Sequence, residues 1–355
     1  MGGPLAAGSV GDVPERPEDA VVVDGLRIRY GDTIAVDGVS FSARSGEVTT
    51  ILGPNGAGKT STVEHLEGYR PAAAGTTAVL GLDPIRDHRH LTARVGVMLQ
   101  DGGIPTAIRP AELLRQYAAF FPVPLDPTGL LDQVGLTHRS RTPFRRLSGG
   151  EQRRLSLALA IIGRPEVVFL DEPTAGIDLE GRDAVRAVVS SLRDEGVCVV
   201  MTTHDLDEAE RTSDRVVIID RGVVVADGPP AELVRPDGSD HILFGAPPGL
   251  PVDELAAHLA AGIRDTTEPV EVVESTRGEY RASCAPSPAN VAALTAWLAE
   301  RELPLEDLRA GRQRLDDVFR RLTAHAETSP GDPDEVSGAH QRRRLRPDRR
   351  RSTRR

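Results

Sequence analysis

The sequence predicts an α/β fold built on a buried, largely parallel sheet, with a small α+β module after it. Short apolar runs, several of them separated by helical patterns, recur at 48–52, 95–99, 167–170, 197–201 and 216–219. Strands that are apolar at every position are typical of parallel sheets covered on both faces. A segment rich in Pro, Gly and Asp near residues 230–240 then marks a domain boundary.

The predicted elements divide the 355 residues into segments. We expect a disordered leader over 1–19, a main domain over 20–237, an accessory module over 238–326 and a disordered, Arg-rich tail over 327–355. The main domain opens with strands at 21–23, 26–30 and 39–42. Its mostly helical part, about 101–150, is predicted to be a helical subdomain whose apolar face comprises Leu113, Leu114, Tyr117, Phe120 and Phe121.

The accessory module is predicted from alternating apolar patterns. They indicate a strand at 241–244, a helix at 252–261, a hairpin over 270–284, a helix whose apolar face includes Trp297, and a last helix at 315–326.

Charge is spread unevenly along the chain. The net charge is −10, but residues 342–355 contain nine Arg and one Asp, which leaves the remaining residues at −18. A body that acidic argues against specific or general nucleic-acid binding. No stretch approaches the length of about 18 apolar residues that crosses a bilayer. If this protein works at a membrane, another chain is therefore expected to span it.

A phosphate-binding loop follows the first strand of the predicted parallel sheet. Residues 53–60 match the pattern G-x-x-x-x-G-K-[ST], between a strand and a helix. Glycines let backbone N–H groups turn inward around phosphate oxygens. Lys59 is the only lysine in the chain, and it is expected to reach the β- and γ-phosphates of ATP, with the Thr60 hydroxyl on Mg²⁺. The expected ATP-binding residues of this loop are Gly53, Pro54, Asn55, Gly56, Ala57, Gly58, Lys59, Thr60 and Ser61.

Two carboxylates end the strand at 167–170. Asp171 is expected to bind Mg²⁺, because ligands lie at the carboxyl ends of strands in open α/β sheets. Glu172 points elsewhere and suits the polarisation of a water for in-line attack on the γ-phosphate. Taken alone, the pair would be a solvated strand end.

A second anion site is predicted at Ser148, Gly149 and Gly150, which open a helix over 152–162. Ser148 and Glu151 also have the spacing of a capping box, so these residues can cap the helix, bind an anion, or do both.

These motifs, in this order over residues 21–234, resemble the nucleotide-binding domain of the ABC ATPase superfamily. The resemblance implies that Tyr30 stacks on adenine, although a core tyrosine is the alternative. It also implies that Gln100 contacts Mg²⁺ and the attacking water, that Asp178 lies in a loop crossing to a second subunit, and that His204 senses the γ-phosphate. In such a homodimer each ATP lies between the Lys59 loop of one subunit and Ser148–Gly150 of the other.

The accessory module narrows the choice within the superfamily. Residues 315–323 resemble the motif that closes the ATPase subunits of daunorubicin-type drug exporters. The resemblance implies efflux of a drug, antibiotic or other amphipathic compound through a separate transmembrane permease, at the cytoplasmic face of the membrane. An importer or a lipid or polysaccharide exporter stays open, as does a soluble ABC ATPase acting on nucleic acid. The Arg-rich tail is a candidate contact for anionic lipid.

Overall fold

The structure is a computed structural model that describes residues 18–98, 103–234, 241–262, 269–310 and residue 319. Its strands are β1 (Asp19–Tyr30), β2 (Thr33–Arg44), β3 (Val48–Leu52), β4 (Ala74–Val79), β5 (Val95–Met98), β6 (Val167–Asp171), β7 (Cys198–Thr203), β8 (Arg215–Asp220), β9 (Val223–Gly228), β10 (Ile242–Gly245), β11 (Val272–Thr276), β12 (Glu279–Ala282) and β13 (Asp307–Ala310). Its helices are α1 (Lys59–Leu66), α2 (His88–Leu91), α3 (Pro110–Ala118), α4 (Pro127–Gln133), α5 (Gly149–Ile161), α6 (Leu179–Asp194), α7 (Leu206–Thr212), α8 (Pro230–Leu233), α9 (Val252–Gly262) and α10 (Pro288–Glu300).

The central sheet has the strand order β5-β6-β7-β3-β8-β9. Every pairing is parallel except that of β8 with β9. The five strands predicted from apolar runs are the five parallel ones, and β3, β6 and β7 are buried at every position. Burial on both faces explains their uniform apolar character. The edge strand β9 is only partly buried and was not predicted.

A second sheet, of order β2-β1-β4, is antiparallel and covers one side of the central sheet. The prediction of two strands at 21–23 and 26–30 was wrong, because β1 runs unbroken from Asp19 to Tyr30. A register shift between Val23 and Leu26 explains the interrupted pattern, since a bulge reverses which side chains face the core. Apolar side chains of β1 pack in one core with Ile51, Phe169 and Val200 of the central sheet.

The helical subdomain, formed by α3 and α4 with the turns after them, packs into a second core, which is separate from the one that β1 shares with the central sheet. Leu113 and Leu114 are buried there, as predicted, and Phe121 packs against this core. Of the three aromatic residues, some were expected to fill this core and others to stay free for a partner, and Phe120 is 79% exposed. Tyr117 is on the border of exposure and makes an edge-to-face contact with Phe120.

The accessory module is a four-stranded antiparallel sheet of order β11-β12-β10-β13 with α9 and α10 packed against it. The Phe244 and Tyr280 rings stack at 5.3 Å, and Trp297 is fully buried. The Tyr280 hydroxyl donates to Pro247 O at 2.9 Å and accepts from Leu250 N at 3.0 Å, so the ring is satisfied at its polar end. The predicted hairpin is present as β11 and β12.

Several predictions lie outside the described residues. They concern the leader, Gln100, the helix at 315–326 except Phe319, and the Arg-rich tail. Phe319 packs against the small core formed by Leu52, Ala209 and Val216 of the main domain. Cys198 is a buried, unpaired thiol, and burial raises its pKa to about 12. No helix in the described part of the chain is long and apolar enough to cross a membrane.

Candidate functional site

The loop between β3 and α1 is shaped by two glycines that no other residue could replace. A Cβ on Gly53 would lie 2.1 Å from Ile219 O. Gly58 has φ +103° as the N-cap of α1, and a Cβ there would lie 2.5 Å from Ala35 O. The tight turn brings the start of α1 onto the loop, where the first N–H groups of a helix have no intrahelical partner. The geometry therefore suits an anion.

Lys59, the first residue of α1, extends its side chain back along this loop. Its Nζ donates to Gly53 O at 2.7 Å and to Pro54 O at 3.0 Å, and the residue is only 6% exposed. Burial lowers the pKa of Lys59 from its ordinary value, and the nearby carboxylates of Glu172 and Asp171 oppose that effect. A cation held this far from water is stabilised by additional negative charge, which a polyphosphate provides.

A cavity of about 470 Å³ opens over the loop. Its lining residues are Ala35, Asn55, Gly56, Ala57, Gly58, Lys59, Thr60, Ser61 and Glu172. Tyr30 lies beside it, with its hydroxyl 2.9 Å from Ser61 Oγ and the guanidinium of Arg70 4.4 Å from its ring centroid. Tyr30 is 42% exposed, so the alternative of a core tyrosine is wrong.

Asp171 and Glu172 are consecutive residues at the end of β6 but have different surroundings. Asp171 is buried, and desolvation raises its pKa, while a hydrogen bond from Thr202 Oγ1 and the charge of Lys59 act in the opposite direction. Glu172 lines the cavity and has φ +46°, a left-handed conformation that is uncommon for a residue with a side chain. The change in backbone direction separates the two carboxylates, as the prediction of two roles requires.

His204, directly after β7, lies against Glu172. Its Nδ1 is 2.9 Å from Glu172 Oε1, and an ionised carboxylate only accepts hydrogen bonds, so Nδ1 is the donor. Two residues predicted from separate parts of the chain are thus in direct contact, because β6 and β7 are adjacent and parallel.

The donor set fits ATP and Mg²⁺. The backbone of the loop around Lys59 suits a polyphosphate. Thr60 and Asp171 offer the hard oxygen ligands that Mg²⁺ prefers. Mg²⁺ usually takes one or two protein ligands and keeps phosphate and water as the others. In the described part of the chain no group of three or more His, Cys, Asp or Glu could hold a metal by itself.

Ser148, Gly149 and Gly150 do not line this cavity. The capping box predicted for Ser148 is present: Glu151 N donates to Ser148 Oγ at 3.2 Å, and Ser148 N donates to Glu151 Oε2 at 2.8 Å. The helix α5 begins at Gly149, three residues earlier than predicted. Asp178 does not line the cavity either, and it caps α6 by accepting from Gly181 N at 3.1 Å.

Two contributors were missed by the sequence analysis. Thr202 donates from its hydroxyl to Asp171 and accepts at the same oxygen from Glu172 N at 3.0 Å, so it orients both acids. The carbonyl of Ala35 lies against Gly58, and the residue lines the cavity. The one sequence signal for the role of Thr202 is its position at the end of a strand, directly before Thr203 and His204.

Comparison with known proteins identifies the relatives of this chain. Residues 36–175 match the ABC transporter family. The Nod factor export ATP-binding protein I of Ralstonia nicotianae is 36% identical over 85% of this chain and 92% of its own length. The daunorubicin resistance ATP-binding protein DrrA2 of Streptomyces coeruleorubidus is 35% identical over 86% of this chain and 95% of its own. The solved structure of cbiO1 from Clostridium perfringens, part of the ABC transporter complex cbiONQ, is 28% identical, with a TM-score of 0.54 over 61% of this chain and 91% of that one.

Sequence relatives that cover most of the chain and structures that cover the main domain lead to the same family. The predicted fold class is confirmed by them. Members of this family bind and hydrolyse ATP and work with transmembrane partners. The chain belongs to the ATP-binding subunits of ABC transporters.

Proposed function

We propose that this ATPase powers export of a drug, antibiotic or other amphipathic compound through a separate transmembrane permease. The direction of transport is supported by relatives that are named for export or for drug resistance and that match beyond the main domain. The proposed hydrolysis of ATP is supported above all by the contact of His204 with Glu172, which lines the Lys59 cavity. This arrangement joins a carboxylate, a proton donor and an anion cradle within one site.

In the proposed reaction each residue has a distinct task. Backbone N–H groups of the loop and Lys59 Nζ bind the β- and γ-phosphates, and Lys59 exchanges its loop carbonyls for phosphate oxygens. Glu172 accepts a proton from the water that attacks the γ-phosphate. His204 holds Glu172 through Nδ1 and is proposed to sense the γ-phosphate.

We propose that Thr60, Asp171 and Gln100 hold Mg²⁺. The ion would neutralise charge on the β- and γ-phosphate oxygens. Burial of Asp171 and its hydrogen bond from Thr202 support the assignment, because they hold one carboxylate oxygen in a fixed direction. Tyr30 is proposed to stack on adenine, since its exposed ring adjoins Ser61 at the end of the loop.

A homodimer would complete the site. The capping box leaves the Ser148 hydroxyl proton available, because Ser148 Oγ is the acceptor for Glu151 N. Ser148, Gly149 and Gly150 of one subunit would bind the γ-phosphate held by the other, and the Asp178 loop would cross the same interface. None of these residues lines the Lys59 cavity of its own chain, which supports a role in trans.

The permease is proposed to contact the segment after Gln100, at the cytoplasmic face of the membrane. Phe120 and Val123, 79% and 70% exposed, offer apolar surface beside Tyr117, and solvent-exposed side chains of this size favour a partner. A partner helix in a cleft between this surface and residues 102–109 would move as ATP closes the dimer. The Arg-rich tail would add attraction for anionic lipid.

Replacement of Glu172 by Gln tests the catalytic assignment. The amide cannot accept the proton of the attacking water, so turnover should fall by about 10²–10⁴-fold while ATP still binds and holds the dimer closed. Lys59→Ala should instead weaken ATP binding, because it removes the ammonium from the cradle. Phosphate release and nucleotide affinity of the two purified variants distinguish these outcomes, and near-normal turnover of Glu172→Gln would rule out the role of Glu172.

Charge reversal in the segment before α3 tests the proposed permease contact. Asp101→Arg and Arg109→Glu should leave the ATPase activity of the purified chain intact but lower efflux and co-sedimentation with membranes. Asp253→Arg, an equally large charge change on the exposed part of α9, serves as the control and should change neither. Normal export by the two segment variants would place the coupling surface elsewhere.

Removal of residues 340–355 tests the contribution of the tail. With an attraction of about 1 kcal/mol per charge near an anionic surface, the full chain should bind phosphatidylserine vesicles better than the truncated chain. The difference should disappear at high salt and on zwitterionic vesicles. Equal vesicle binding by both chains at low salt would leave the tail without this role.

A further inference from the structure

Arg153, in the second turn of α5, reaches from this helix to the edge of the sheet where Glu172 lies. Its Nη1 donates to the main-chain oxygen of Glu172 at 2.8 Å and to that of Ala175 at 3.0 Å. Both carbonyls belong to the turn after β6, in which Ala175 N also donates to Glu172 O at 3.2 Å. One guanidinium nitrogen therefore holds the turn that carries the catalytic carboxylate.

The backbone of Glu172 needs such support, because its left-handed φ of +46° is unfavourable for a residue with a Cβ. Its N–H group is held from one side by Thr202, through Oγ1 at 3.0 Å and the carbonyl oxygen at 3.2 Å. Arg153 holds the carbonyl from the other side. Restraint at both ends of the residue sets the direction in which the Glu172 side chain leaves the strand.

The position of Arg153 on α5 connects this support to the second anion site. It lies five residues after Ser148, a rise of about 7.5 Å along one continuous helix. The same helix therefore presents Ser148 and Gly149 at its N-terminus and Arg153 at the Glu172 turn. A displacement of α5 at one point must appear at the other, since the hydrogen-bonded helix moves as a unit.

We infer that Arg153 is a positioning residue for hydrolysis, which orients Glu172 and couples that orientation to the placement of α5. The inference rests on the proposed role of Glu172. ATP held on the Lys59 loop of a second copy would contact Ser148–Gly150 and fix the position of α5. Arg153 would then hold Glu172 in line for proton transfer in its own subunit. Small errors in such alignment have large effects on rate, up to about a hundredfold for a shift of 1 Å.

Arg153→Met removes the donor but keeps the apolar length of the side chain. We expect kcat to fall by about tenfold or more, with the Kd for ATP within about twofold of the wild-type value, because Arg153 itself does not line the cavity. Arg153→Lys should recover part of the rate, since an ammonium can donate to one of the two carbonyls. Arg153→Gln, which keeps an N–H donor, replaces the Met variant if that variant does not fold.

Arg94→Met is the matched control. Arg94 binds Glu166 at 2.6 and 3.0 Å where β5 and β6 begin, at the end of β6 remote from Glu172. Its loss removes charge-assisted hydrogen bonds from the same strand and should lower the Tm without lowering kcat at temperatures where the variant is folded. A fall in kcat of equal size in both variants would show a general effect on the sheet and overturn the inference.

The double variant Arg153→Met with Glu172→Gln gives the sharpest outcome. If Arg153 acts through Glu172, its replacement changes the residual turnover of Glu172→Gln by no more than about twofold. A further loss as large as that of the single variant, or wild-type kcat in Arg153→Met alone, would overturn the inference. Normal turnover of Glu172→Gln would overturn the proposed catalytic role itself, which separates the two failures.

Discussion

Parallel hydrogen bonding between β3, β7 and β6 determines where the reactive side chains lie. In this register Leu52 is opposite Thr203, and Asp171 is opposite Thr202. The three strands therefore end at one edge of the sheet, where the phosphate loop, the two acids and His204 meet. Since these strands are buried at every position, the edge is held by the core of the main domain and does not depend on the loops themselves.

Burial gives this edge its electrostatic character. Lys59 and Asp171 are each only 6% exposed. Desolvation lowers the pKa of Lys59 and raises the pKa of Asp171, which favours the neutral form of each. Their mutual attraction opposes the shift, so each group favours the charged form of the other. The left-handed backbone at Glu172 adds a local cost, which hydrogen bonds to its N–H and C=O groups offset. The charged groups and the backbone geometry of the site are therefore in place before ATP binds.

The predictable part of the structure was the part with a repeated pattern or a spaced motif. Strands buried on both faces were found at nearly their true bounds, whereas the edge strands β4, β9 and β13 were missed because their side chains are largely or partly exposed. Lys59, Asp171, Glu172 and His204 could be placed by sequence, but the contact between Glu172 and His204 needed the strand order. Arg153 could not be found, because a charged residue in a polar helical turn gives no sign of the direction of its side chain.

We propose that ATP binds on the Lys59 loop and that a second copy of the chain completes the site. A structure of the Glu172→Gln variant crystallised with Mg²⁺ and ATP would measure this directly. Two copies packed head to tail are expected, with the γ-phosphate in contact with Lys59 Nζ of one copy and within hydrogen-bond distance of Ser148 of the other. Nucleotide bound away from residues 53–61, or a closed site in which Ser148–Gly150 take no part, would contradict it.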